Sequence, residues 1–264
     1  MFELREKDGV KYLVITEFED TNLVNHCFST RVGGVSTGET ATLNFGFSRK
    51  DTTENVLENF KIICKTINVE FEKLVLTDQV HGNDVYKVTE KDAGKGITRE
   101  NDIKNIDAFV TNVPHVPIVT FHADCIPVFF LDTKNKAIGL AHSGWKGTYS
   151  NISKKVVERM TAEYGTKPCD LICAIGPSIM ECHFEVDDNV ADMFVAKYGN
   201  EFITMYEKPH INLTAIVEKQ LVNCGVENVV QSGICTYCNK DMYYSYRGDN
   251  HKTGSLISVM SLKG

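Results

Sequence analysis

Cys125 and His142 are the residues of this chain whose types and spacing point most directly to chemistry. They flank an apolar stretch whose pattern predicts a hairpin, with Asp124 beside the cysteine and Ser143-Gly144-Trp145-Lys146-Gly147 after the histidine. Val128 to Leu131 and Ala137 to Ala141 read as its strands, and Thr133-Lys134-Asn135-Lys136 as the polar turn between them. A hairpin brings its open ends together, so Cys125 and His142 should meet although 17 positions separate them. A thiolate and an imidazole are donors that Zn²⁺ prefers. His81, between the run Leu74 to Val80 and Gly82, is the candidate third ligand; its other reading is an ordinary turn residue. Three protein ligands and one open position is the arrangement of a catalytic zinc rather than a structural one. The separations of 44 and 17 residues match no short zinc motif, so donor chemistry carries the trio.

His122 is a local rival, because His-x-x-Cys is also a ligand pair. In a continuous strand residues three apart face opposite sides, which places His122 beside the site. Asp124 reads either as a turn carboxylate or as a general acid or base, or a ligand-orienting group, next to the metal. Cys235-x-x-Cys238 is the only CxxC; it lacks a second pair spaced for a zinc knuckle, and its flanks are unlike those of a redox dithiol. The segment Asp241 to Asp249 combines three tyrosines with Arg247. It reads as rings for a nucleobase with an arginine fork for phosphate, or as a tyrosine-rich edge strand. Neither Gly-rich phosphate-loop pattern is present.

The elements that must position these groups alternate. Lys11 to Ile15, Asn25 to Thr30, Leu74 to Val80, Asp84 to Thr89, Ala108 to Thr111, Ile118 to Phe121, Leu171 to Ile175, Val229-Val230 and Leu256 to Met260 read as further strands. Thr53 to Ile67, capped by Thr53, Asn151 to Tyr164, Val190 to Tyr198 and Leu213 to Asn223, stopped before Gly225, read as helices. The mixture predicts an α/β or α+β protein with helices on the outer faces of its sheets. No repeat, low-complexity tract or proline-rich linker divides the 264 residues, so a single domain over 1–264 is expected. A formal charge of -7 with scattered Lys and Arg argues against a nucleic-acid partner. The N-terminus lacks an apolar targeting core and no apolar run reaches membrane-spanning length, which predicts a cytoplasmic protein with no membrane partner. Most of Cys27, Cys64, Cys169, Cys173 and Cys224 are then expected to be plain reduced thiols.

These residues also resemble a known family. Phe28-Ser29-Thr30-Arg31-Val32-Gly33-Gly34-Val35-Ser36, Leu43-Asn44-Phe45-Gly46, Gln79-Val80-His81-Gly82, Ala123-Asp124-Cys125-Ile126-Pro127, Ala141 to Gly147, Ile175 to Ile179, Cys235-Thr236 and Ser245-Tyr246-Arg247 occur in that order. The ordered set is similar to the family variously called polyphenol oxidase or laccase-like, YfiH/YlmD-type purine nucleoside phosphorylase, and peptidoglycan editing factor. The resemblance implies one α/β/β/α sandwich of mixed sheets, with metal ligands falling on His81, Cys125 and His142. The implied activity is zinc-dependent phosphorolysis of adenosine, guanosine, inosine or methylthioadenosine to base and ribose 1-phosphate, with adenosine deamination at the same site. The chain departs from the family pattern at Lys146, where arginine is common, at His122, and at Phe60 after Asn59.

On this reading Arg247, assisted by Lys146 or Arg49, holds phosphate; Asn44 and Gln79 bond to ribose or base; Asp124 transfers protons. The rivals are copper-dependent polyphenol oxidation, editing of a peptidoglycan precursor with Cys125 as nucleophile, and a binding protein without catalysis. Eight histidines without a His-x-His pair are poorly suited to a multicopper oxidase. Oligomeric state, monomer or homodimer, is left open.

Overall fold

Along Ile126–Asp132, side chains alternate between two buried environments: Val128 and Phe130 enter one core, Phe129 and Leu131 another. A strand buried on both faces is a near-continuous apolar run, as this one is. The computed structural model describes residues 1–264 and places fourteen strands: β1 (Phe2–Lys7), β2 (Val10–Ile15), β3 (Val24–Ser29), β4 (Val75–Leu76), β5 (Val85–Lys87), β6 (Ala108–Thr111), β7 (Ile118–His122), β8 (Ile126–Asp132), β9 (Ala137–Ser143), β10 (Leu171–Ile175), β11 (Ile203–Met205), β12 (Pro209–Ile211), β13 (Asn228–Gln231) and β14 (Leu256–Leu262). The helices are α1 (Thr16–Glu19), α2 (Thr53–Ile67), α3 (Trp145–Tyr149), α4 (Ile152–Tyr164), α5 (Asp188–Tyr198) and α6 (Leu213–Asn223).

A first six-stranded sheet has the order β1-β2-β3-β14-β7-β4, and a second has β13-β10-β8-β9-β6-β5. Both mix parallel and antiparallel pairs. Phe28, Ile118 and Leu256 from the first sheet meet Phe109, Phe129, Leu140 and Ala174 from the second in one apolar layer. Outside the second sheet, Val128, Phe130 and Ala141 pack against Ile152, Val156 and Met160 of α4 and Ile216 of α6. Outside the first, Cys27, Val119 and Val259 pack against Val56, Phe60 and Ile63 of α2. The layers therefore run α/β/β/α, as the resemblance implied.

Residue 53 was expected to cap α2, but the cap is Thr52, whose Oγ1 accepts the Asn55 amide at 3.1 Å. Leu74 to Val80 was expected to be one strand; only Val75 and Leu76 pair, because the chain then leaves the first sheet. The Gln79 side chain replaces the lost backbone pairing. Its Oε1 accepts the Phe121 amide and its Nε2 donates to the Phe121 carbonyl at 2.9 Å. Asp241 to Asp249 is a series of turns rather than an edge strand, with Tyr243 and Tyr244 buried and Tyr246 exposed. The first strand, β1, escaped the sequence pattern because its charged residues hide the apolar alternation, its pairing with β2 notwithstanding. No helix is long and apolar enough to cross a membrane.

Candidate metal centre

The chain passes from the first sheet to the second twice at the same end of the sandwich, and each crossing carries one member of the expected trio. Residues 77–84 cross from β4 to β5 and hold His81; residues 123–125 cross from β7 to β8 and hold Cys125. Both crossings contain a non-glycine residue in the left-handed region, His81 at φ 60° and Asp124 at φ 87°. Such conformations are uncommon and persist where surrounding bonds hold them. His142 comes from β9, two residues beyond Leu140 in the row that faces the first sheet. The hairpin register pairs Pro127 with His142 and Ile126 with Ser143, which brings Cys125 to the histidine as the sequence implied.

The donor atoms of His81, Cys125 and His142 all lie within 4.8 Å of one another. The two imidazoles are nearly perpendicular, with centroids 4.8 Å apart. His142 is buried, Cys125 half-buried and His81 exposed at the mouth. Gly144 makes room for them: a Cβ there would lie 2.9 Å from His81 Cδ2 and 3.3 Å from Cys125 Sγ. One thiolate and two imidazoles converging on a space kept clear by glycine suit a transition-metal ion with a free position toward solvent.

Asp107 organises this centre, and sequence reasoning passed over it. Its buried Oδ1 accepts from His142 Nδ1 at 2.8 Å and from the His81 amide at 3.0 Å. Oδ2 accepts from the amides of Gly82 at 2.8 Å and Val80 at 3.2 Å. One carboxylate thus directs His142 Nε2 toward the trio and locks the left-handed turn at His81. Burial alone would favour the neutral acid, but His142 and these amides hold Asp107 below the usual carboxylate range. Its only sequence signal is an acid abutting the apolar run Ala108 to Thr111.

Burial also opposes charge on Cys125 and His142, yet each stabilises the other. The Cys125 thiol is drawn down to about 6 by His142 and then His81. The His142 imidazole is held up to about 9 by Cys125 and Asp107. Without metal the pair therefore exists as thiolate and imidazolium near neutral pH.

His122 sits beside the trio, its ring 5.6 Å from that of His142. The reason differs from the expected one: β7 ends at His122, so no continuous strand joins it to Cys125. Its nitrogens contact Thr120 Oγ1 at 2.8 Å and the Cys125 carbonyl at 3.1 Å, and burial, with the charge on His142, keeps it neutral.

A cleft of about 700 Å³ opens over the trio and is lined by Arg49, Gln79, Asp124, Trp145, Tyr246 and Arg247 among others. Arg49 is braced by Ser255 Oγ at 3.1 Å and lies 5.7 Å from the Tyr246 ring. Arg247 donates to the Glu185 carbonyl at 3.1 Å from both terminal nitrogens. Asp124 accepts from Thr236 Oγ1 through Oδ1 and from the Arg247 amide through Oδ2, each at 2.7 Å. Gln79 is at the wall, with its amide engaged by Phe121. Asn44 lies behind the wall, fully buried, where its Oδ1 accepts the amides of Gly46 and Ser255. Lys146 is exposed on α3 with Nζ over the Trp145 ring at 5.5 Å, outside the cleft lining.

A family profile described as multi-copper polyphenol oxidoreductase laccase matches residues 25–263. The purine nucleoside phosphorylase YlmD of Bacillus subtilis (strain 168) is 33% identical over 262 residues, covering 95% of this chain and 94% of that protein. The purine nucleoside phosphorylase YfiH of Escherichia coli (strain K12) is 30% identical, covering 95% and 98%. The crystal structure of YlmD from Geobacillus stearothermophilus superposes with a TM-score of 0.92 at 28% identity, covering 100% of this chain and 99% of that one.

Proposed function

The chain belongs to the multi-copper polyphenol oxidoreductase laccase family, and from that premise we propose that it is a zinc-dependent purine nucleoside phosphorylase. The observation that carries the proposal is a single cleft holding the His81–Cys125–His142 trio together with Arg49 and Arg247. The names of its relatives support purine nucleoside phosphorolysis in particular. The trio would hold the zinc, which supplies Lewis acidity at an open coordination position.

Arg49, braced by Ser255, is the fixed cation for phosphate, and Arg247 the second, exchanging its carbonyl partners for phosphate oxygens. Phosphate oxygen bonds to C1′ as the C1′–N9 bond breaks; the purine leaves with the bonding pair and takes up a proton. Tyr246, stacked on His251 at 4.3 Å, offers an aromatic surface to the base. Asp124 was expected to transfer protons; its bonds to Thr236 and Arg247 support a positioning part instead. The buried Asn44 and wall-bound Gln79 shape the cleft, and Lys146 adds charge outside it. Deamination is a separate branch of the proposal, in which a water oxygen bonds to C6 of adenosine, the C6–N6 bond breaks, and ammonia and inosine form.

Multicopper phenol oxidation needs many more imidazoles than the two ligand clusters of this chain contain, which are His81 and His142 in one and His183 in the other. The test measures bound metal and incubates the protein with adenosine, with and without phosphate. Stoichiometric zinc and phosphate-dependent adenine release are expected. Inosine alone would replace phosphorolysis by deamination, and bound zinc without purine turnover would refute both.

A further inference from the structure

We propose that Cys182, His183, Cys235 and Cys238 form a second zinc site, closed by four protein ligands, that staples the rim of the cleft. The CxxC pair finds its partners in an adjacent Cys-His pair on another loop, an arrangement that no spacing template describes. All four donor atoms lie within 4.8 Å of one another. His183 Nδ1 is 3.2 Å from Cys182 Sγ, 3.4 Å from Cys238 Sγ and 4.0 Å from Cys235 Sγ. Cys182 Sγ and Cys238 Sγ are 3.8 Å apart.

Tetrahedral zinc, with Zn–S about 2.3 Å and Zn–N about 2.0–2.1 Å, requires S···S edges of about 3.8 Å and N···S edges of about 3.6 Å. The observed distances bracket these values. Hydrogen bonding does not account for the cluster, because one imidazole nitrogen has a single proton or a single lone pair and here meets three sulfurs. A disulfide does not account for it either: it would need sulfurs about 2.05 Å apart and would leave the third cysteine over. One divalent cation satisfies all four groups together. Three thiolates and no free position make it structural rather than catalytic.

The two loops already meet through a bridge between Ser178 and Cys235, in which the Thr236 amide donates to the Ser178 carbonyl at 3.0 Å. Tyr237 stacks on the His183 ring with centroids 3.9 Å apart, fixing its plane. The stapled segments carry Thr236, the partner of Asp124, and Phe184 of the cleft wall; Arg247 donates to the carbonyls of Glu185 and His183. Losing the ion should therefore loosen the rim while sparing the trio.

The test is zinc content by elemental mass spectrometry, on protein purified under reducing conditions without chelator. Wild type should hold two zinc ions per chain, Cys125→Ala one, and Cys182→Ser/Cys238→Ser one. Cobalt loaded into Cys125→Ala should show thiolate-to-metal charge-transfer absorption, which disappears when Cys182→Ser and Cys238→Ser are added. Both altered cysteines are exposed, which favours a folded variant, and circular dichroism checks it. Folded Cys125→Ala protein that holds no zinc and gives cobalt no sulfur absorption would overturn the proposal. So would a disulfide among these three cysteines in zinc-supplied protein.

Discussion

The two clusters of soft donors contrast in what surrounds them. The trio of His81, Cys125 and His142 sits at the end of the sheet sandwich, with a buried histidine, an outer carboxylate and a cleft on its open side. The quartet of Cys182, His183, Cys235 and Cys238 joins two surface loops, has two exposed cysteines, and closes on itself. If both proposals hold, the difference teaches that ligand count and outer support, more than ligand type, separate a site for chemistry from a site for shape. The trio is backed by the Asp107 carboxylate and the clearance at Gly144, the quartet by the Ser178–Cys235 bridge and the stacked Tyr237 ring.

Breaking the trio should have the largest effect. Cys125→Ala should remove the cleft's metal and reduce turnover to background while the quartet keeps its ion, read by zinc content alongside adenine release. Activity that survives loss of that metal would show that the trio does not serve catalysis. Asp107→Asn comes next, because it disturbs both His142 and the turn at His81. Weaker cleft zinc by roughly 10–100-fold is expected in a chelator competition, and unchanged affinity would remove Asp107 from the centre.

Gly144→Ala sharpens the steric side of the comparison. The backbone there, at φ -69°, accepts any residue, so the cost falls on the His81 ring and not on the fold. We expect lost cleft zinc at an unchanged Tm; equal loss in the quartet would mean general damage. Cys182→Ser/Cys238→Ser should do the reverse, lowering Tm by roughly 5–10 °C, equivalent to a few kcal/mol at this chain length, while cleft zinc is retained.

The smallest signal is a proton. With Cys125 at about 6 and His142 at about 9, metal-free protein at pH 7.5 holds a thiolate and a protonated imidazole. Zinc must displace the proton on His142, so cleft affinity should rise with pH up to about 9 and fall on acidification. Titrating zinc into metal-free Cys182→Ser/Cys238→Ser protein in weak buffer should release about one proton per ion. No release would contradict the thiolate–imidazolium pair.

Much of the centre was legible in the residues. Two apolar runs around Thr133 to Lys136 placed Cys125 near His142, because hairpin pairing is local and its period of two is written in the side chains. The helices α2, α4 and α6 were readable from their own local signal, apolar residues recurring every three to four positions. Gln79 and Asn44 were less so. Their amides looked free for a substrate, whereas the folded chain engages them with Phe121, Gly46 and Ser255.

What the sequence by itself determined was an inventory: soft donors in a hairpin frame, an α/β alternation, and a net negative charge. Tertiary structure alone decided that residues 77–84 and 123–125 cross between sheets at one end, that Asp107 lies under both histidines, and that Cys182-His183 meets Cys235-x-x-Cys238. The physical reason is range. Periodicity records which face of one element is buried, whereas a ligand set depends on sheet order and crossing geometry, which join residues far apart in the chain.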